Sequence, residues 1–153
     1  MMNHVVLFCY DGSDGSKAAL GAADELLRHP ADAVVLTVWT PATVLLARAG
    51  SFLIAVPNEG EIDEQEAVSA QRIAEEGAAD ARTRGYNASA RVAQANASVA
   101  EAISQVADQI DAGLIVCGQR GRGTVRSALL GSVSHALSSH AQRPVLIAPE
   151  HAR

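Results

Sequence analysis

Two runs near the start of the chain constrain the fold most. HVVLFCY at 4–10 and AVVLTVW at 33–39 are apolar at almost every position. A strand with one wet face alternates apolar and polar residues. A run apolar on both faces belongs in a parallel sheet covered on both sides by helices. The intervening segments can supply them. Ser13 is placed to cap a helix running through about Arg28, with Ala18, Ala19, Ala22, Ala23, Leu26 and Leu27 on its inner face and His29-Pro30 ending it. Residues 40–60 read as irregular and apolar, and 62–84 as a long alanine-rich helix closed by Gly85. ASARVAQA at 88–95 alternates only weakly and reads as a third strand near a sheet edge. A helix follows at 98–111, with Ser98 and Glu101 as a capping box. A strand at 113–117, a helix at 132–141 and a strand at 144–148 complete the series. Five strands alternating with helices predict one doubly wound α/β domain spanning residues 1–153.

The stretch GQRGRGTVRSALLGS, from Gly118 to Ser132, carries the strongest chemical signal. Two glycines stand three apart, nine residues follow, and Gly131 then directly precedes Ser132. At this composition such a spacing arises by chance on the order of 1 time in 100. It joins the strand ending at Cys117 to a helix beginning Ser132-Val133-Ser134, and it carries Arg120, Arg122 and Arg126 with no acid. Gly118 and Gly121 lack Cβ atoms where backbone N–H groups must approach an anion. Gly131, Ser132 and Ser134 offer donors at a helix start, where the dipole favours negative charge. The loop is no Walker A motif, since no Lys-Ser/Thr pair follows the glycines, and its order is not G-x-G-x-x-G.

The pattern G-x2-G-x9-G-[S/T] resembles that of the nucleotide-binding members of the universal stress protein family. The likeness extends to an opening strand ending in YDGSDGSKAAL, the GSVS helix start and the closing RPVLIAP. It implies strand order 3-2-1-4-5, with a crevice between strands 1 and 4 where Cys9 leads into Asp11 and Cys117 into Gly118. It implies an adenine nucleotide, ATP with Mg²⁺ in the first instance. Asp11 would lie beside its ribose or phosphates, the backbone near Val38 would read the adenine edge, and one arginine, taken as Arg120, would touch phosphate. It also implies a homodimer formed through the strand at 144–149. The activity expected is sensing or regulation with at most slow ATP hydrolysis, because no residue is placed as a general base.

Composition narrows the alternatives. A net charge of −5, with five acids in EGEIDEQE at 59–66, speaks against nucleic acid as a partner. TVLLARAGSFLIAV at 43–56 is interrupted by Arg48 and is too short to span a bilayer; it reads instead either as a partial cover for the crevice or as a segment packed permanently on the sheet or a partner. The N-terminus lacks a basic region and a cleavage site, so a cytoplasmic location is expected. Two cysteines make no disulfide framework, and the five histidines have no zinc-like spacing. Two other readings share the fold class. A receiver or flavodoxin module lacks support, because strand 1 ends in a single aspartate and strand 3 in none. A nucleotide-activating enzyme would use GSDGSK at 12–17, a weak echo of its glycine-rich loop.

Overall fold

The computed structural model describes residues 5–27, 31–50, 57–122 and 130–150. Its elements run β1 Val6–Cys9, α1 Asp14–Leu26, β2 Asp32–Trp39, α2 Ala42–Arg48, α3 Glu59–Thr83, β3 Asn87–Gln94, α4 Val99–Gln109, β4 Leu114–Gly118, α5 Ser132–His140 and β5 Val145–Ala148. The five strands form one parallel sheet in the order β3-β2-β1-β4-β5, as the resemblance implied.

The apolar runs explain the layering. Along β1, Val6 and Phe8 turn toward one face and pack with Ala19, Leu20 and Ala23 of α1 and Ile73, Ala78 and Ala81 of α3. Leu7 and Cys9 turn to the other and pack with Ile103, Val106 and Ala107 of α4 and Leu137 of α5. Each central strand is thus buried twice, which is why its sequence shows no polar alternation. Alanine dominates the helix faces, and the layers come close. At Gly77 a Cβ would lie 2.7 Å from the Tyr10 ring and 2.8 Å from Val35.

The caps follow the sequence closely. Ser13 Oγ accepts from the Ser16 N–H at 3.2 Å, and Ser98 Oγ from the Glu101 N–H at 3.1 Å. Gly85, at φ +95°, ends α3 with its N–H on Arg82 O at 3.0 Å and the Tyr86 N–H on Ala81 O at 3.1 Å. Asp111, at φ +50°, ends α4 in the same way, with the Ala112 N–H on Ala107 O at 2.8 Å. Arg143 then holds that cap, donating to Asp108 at 3.2 Å, Asp111 at 2.6 Å and Ala112 O at 2.9 Å.

The structure corrects two expectations. Leu26, expected on the inner face of α1, is exposed. The segment 40–60 is not irregular throughout: it contains α2, and α3 already begins at Glu59. Nothing in ATVLLAR shows an apolar stripe with a polar back, and none of its residues is buried. The helix is held from outside. The Ala42 N–H donates to Asp63 Oδ1 at 2.9 Å, and Arg48 donates to the carbonyl of Ala97. The end of α1 near Arg28, His29-Pro30, and 51–56 of the expected cover lie outside the described residues.

Gly77→Ala tests the helix–sheet distance. Better helix propensity stabilises by about 1 kcal/mol, while overpacking costs about 1–3 kcal/mol. The new methyl meets a ring and a β-branched side chain, neither able to swing aside, so a net loss in urea denaturation is expected. A gain in stability would show that α3 rides loosely on the sheet.

Candidate functional site

β1 and β4 are neighbours in the sheet, but the chain leaves them toward opposite faces, to α1 after β1 and to α5 after β4. Their carboxyl ends therefore part and leave a crevice. It has a volume of about 640 Å³. Cys9, Val38, Val99, Ile103, Cys117 and Val133 make an apolar wall on the α4/α5 side. Asp11, Ser16, Gln119, Arg120, Arg122 and Ser132 line it with polar groups. Leu45 of α2 and Glu66, Ser69, Ala70 and Ile73 of α3 close the other side. Every residue expected at the site from the sequence lines this one crevice. Leu45 falls in the segment expected as a cover, whereas Val99, Ile103 and the α3 group escaped sequence reasoning, because on their own helices they look like ordinary core or surface positions.

Asp11 organises the start of the site. Its Oδ1 accepts from the Ser13 N–H at 2.9 Å, and its Oδ2 from the Arg122 N–H at 3.2 Å. One carboxylate thus joins the α1 turn to the glycine loop, across more than a hundred residues of sequence. Burial by itself would raise its pKa, but hydrogen bonds from Ser13, from the Arg122 backbone and from Ser16 outweigh burial and hold it below the usual value.

The glycines serve the protein's own backbone. A Cβ on Gly118 would lie 2.7 Å from the carbonyl oxygen of Gly15, one on Gly15 would lie 2.4 Å from that of Arg120, and one on Gly121 would lie 2.8 Å from Asp11 Oδ2. The reason expected for Gly118 and Gly121, room for an anion, is therefore at most the second one. The first is backbone contact between the loop and the start of α1. Gly15 was the overlooked partner, although a glycine inside a helix's first turn was a signal.

The far end of the loop is tied just as firmly. The Gln119 carbonyl accepts from the Gly131 N–H at 2.8 Å and from the Ser134 hydroxyl at 2.8 Å, and the Gln119 N–H donates to Ala148 O at 2.7 Å. This corrects the donor set read from the sequence. Gly131 N–H and Ser134 Oγ point inward, leaving the N–H groups of Ser132, Val133 and Ser134 at the start of α5. Among the described residues no side chain caps that start, whereas serines cap α1 and α4. Arg120 is half-buried, its Nε without a partner among the described residues. Arg126 lies outside them.

Val38 has a backbone reason to be here. Along a parallel strand, the N–H and C=O of alternate residues point to the same neighbour. The Leu36 carbonyl accepts from the Tyr10 N–H at 2.8 Å, while the Trp39 carbonyl faces the other way and accepts from the Ala95 N–H at 2.8 Å. Two residues past Leu36, Val38 turns its N–H and C=O toward β1, but β1 has ended. A donor and an acceptor therefore face the crevice side by side. Trp39 is half-buried and lines the same space.

These features define a parallel α/β domain with an open peptide edge and an uncapped helix start facing a single cleft. The chain matches the universal stress protein family over residues 2–149 and belongs to it. A universal stress protein of Mycobacterium tuberculosis is 52% identical over 40 residues, a match covering 26% of this chain and 13% of that protein's length. A universal stress protein from Archaeoglobus fulgidus in complex with dAMP superposes with a TM-score of 0.63 at 20% identity, covering 97% of this chain and 99% of that one. One from Arabidopsis thaliana with AMP bound gives 0.65 at 16% identity, covering 97% and 92%. Likeness at these identities speaks to the fold alone.

Among the described residues no group of three or more His, Cys, Asp or Glu could hold a metal ion, and no helix is long and apolar enough to cross a membrane.

Asp11→Ala should cost about 1.5–3 kcal/mol at neutral pH, the range for losing hydrogen bonds to a charged group. Because the folded pKa lies below the unfolded one, this contribution is complete above the unfolded value near 3.9 and fades as pH falls through the folded value. Urea melts of the two proteins should therefore converge in acid. A gap that stays constant down to the acid transition would show that the carboxylate charge is not what holds the loop.

Proposed function

We propose that the crevice binds an adenine nucleotide, ATP being the form it suits best, and that the protein acts as a nucleotide-responsive regulator with at most slow hydrolysis. The observation that carries this reading is the pairing of Val38's exposed peptide edge with the uncapped start of α5 in one cleft. The C=O of Val38 suits the N6 amino group of adenine and its N–H suits N1. The base would lie on the apolar wall of Val99, Ile103 and Val133. The phosphates would meet the N–H groups of Ser132 and Val133 and the guanidinium of Arg120. Asp11 bounds the ribose region while its carboxylate oxygens hold the loop. Mg²⁺, if it enters, would be held mainly by phosphate oxygens, since Asp11 already accepts two backbone hydrogen bonds. Among the described residues that line the crevice there is no histidine, and of the two carboxylates Asp11 already holds the loop and Glu66 belongs to α3 on the other side, which is why regulation is favoured over turnover.

Guanine inverts the pattern, with an acceptor at O6 and a donor at N1. Placed on Val38 it would set acceptor against acceptor and leave buried groups unpaired at about 1–3 kcal/mol. Isothermal titration with ATP, ADP, AMP, cyclic AMP and GTP should therefore show GTP at least about tenfold weaker than ATP, and AMP weaker than ATP for want of phosphate contacts. Equal affinities for ATP and GTP would remove Val38 from the reading, and no binding by any nucleotide would end it.

The partner we propose is a second copy. β5 lies at the sheet edge, and Val145, Leu146 and Ile147 are only half-buried. An apolar edge without charge invites pairing, and a two-fold axis would set two such strands antiparallel. Light scattering should give a dimer, reduced to monomer or aggregate by Val145→Lys. A wild-type protein that is monomeric at high micromolar concentration overturns it.

A further inference from the structure

The proposed contacts to the nucleotide use neither cysteine thiol, yet both thiols line the crevice and sit together. β1 and β4 pair in register at Val6–Leu114, Leu7–Ile115 and Phe8–Val116, and the next step sets Cys9 opposite Cys117. Both side chains lie on the α4/α5 face and both line the crevice. Both are free thiols.

Geometry separates the chemistries open to them. Side chains opposite one another on adjacent strands inherit the strand spacing of about 4.8 Å. A disulfide wants Cβ atoms about 3.8 Å apart, closer than that general spacing. Metal–thiolate bonds are about 2.3 Å long, so a linear sulfur–metal–sulfur unit spans about 4.6 Å, close to the strand spacing. Zinc would require further ligands, and the described residues offer no group of three. Charge narrows the choice again. Two thiolates around a divalent ion make a neutral complex, which suits the apolar wall on which the pair sits.

We propose that Cys9 and Cys117 form a two-coordinate site for a soft divalent cation of the mercuric type, on the wall of the crevice, where its occupancy opposes nucleotide binding. Two S–H bonds break and two sulfur–metal bonds form; both protons leave to solvent and no electrons are transferred. The opposition to nucleotide rests on the function proposed above; the metal site itself does not.

Mercuric chloride titrated into the reduced, desalted full chain should give a thiolate-to-metal charge-transfer band in the near ultraviolet that saturates at one ion per chain. Both thiols should then be lost to a thiol-titrating reagent. Zinc chloride should give neither effect. Cys9→Ser and Cys117→Ser, each checked by circular dichroism and replaced by Ala should Ser misfold, should weaken binding by about 100-fold or more, since even second-shell changes cost metal sites about 10–100-fold. A one-to-one step of unchanged affinity in either variant, or two ions bound per chain, overturns the site. AMP should bind the metal-loaded chain about tenfold more weakly than the metal-free chain, and equal affinities overturn the opposition. A metal-free chain that binds no nucleotide would defeat the proposed function while leaving the charge-transfer step as the measure of the site.

Discussion

The backbone contact between Gly15 and the glycine loop is the constraint on which the site depends. Two peptide segments, one opening α1 and one leaving β4, approach so closely that a Cβ at either Gly15 or Gly118 would meet a carbonyl oxygen. Asp11 then locks the pair by accepting from both segments. Repulsion sets the distance and the carboxylate sets the register. The rest of the crevice inherits its shape from that junction. The Gln119 carbonyl gathers Gly131 and Ser134, which aims the start of α5, and Arg120 is carried between the two anchors.

Much of this was legible because it is local. The apolar runs could only be doubly covered strands, and Ser13, Ser98 and Gly85 announce helix ends through their own hydrogen-bonding chemistry. The loop was legible because its spacing is improbable by chance. What escaped was whatever depends on a partner far along the chain. Gly118 carries no mark saying that Gly15 presses on it. Ser134 looks like a donor to ligand until Gln119 is placed beneath it. The helix α2 has no amphipathic pattern and is held by Asp63 and Arg48, contacts no local rule anticipates. The strand order came from the family resemblance and not from the pattern of runs, since alternating strands and helices are compatible with several windings.

The two faces of the sheet divide the work. The α1/α3 face is packed with alanine and sealed by Gly77 against Tyr10, and it behaves as a fixed support. The α4/α5 face opens at its carboxyl end, where Val99, Ile103 and Val133 border the cleft. The same apolar side chains that close the lower part of this layer therefore line its upper part, and hydrophobic burial left unfinished there is what a flat aromatic base would complete.

Val38 has a consequence for how such a site can change. The groups proposed to read the base belong to the peptide, and every residue but proline offers the same two. No ordinary exchange of side chain at this position rewrites what the edge reads. What decides it is where β1 stops relative to β2, a matter of strand length. On the proposed reading, lineages descended from this arrangement can drift widely at position 38 and keep their base preference, and would lose it chiefly through an insertion or deletion that slides one strand end past the other.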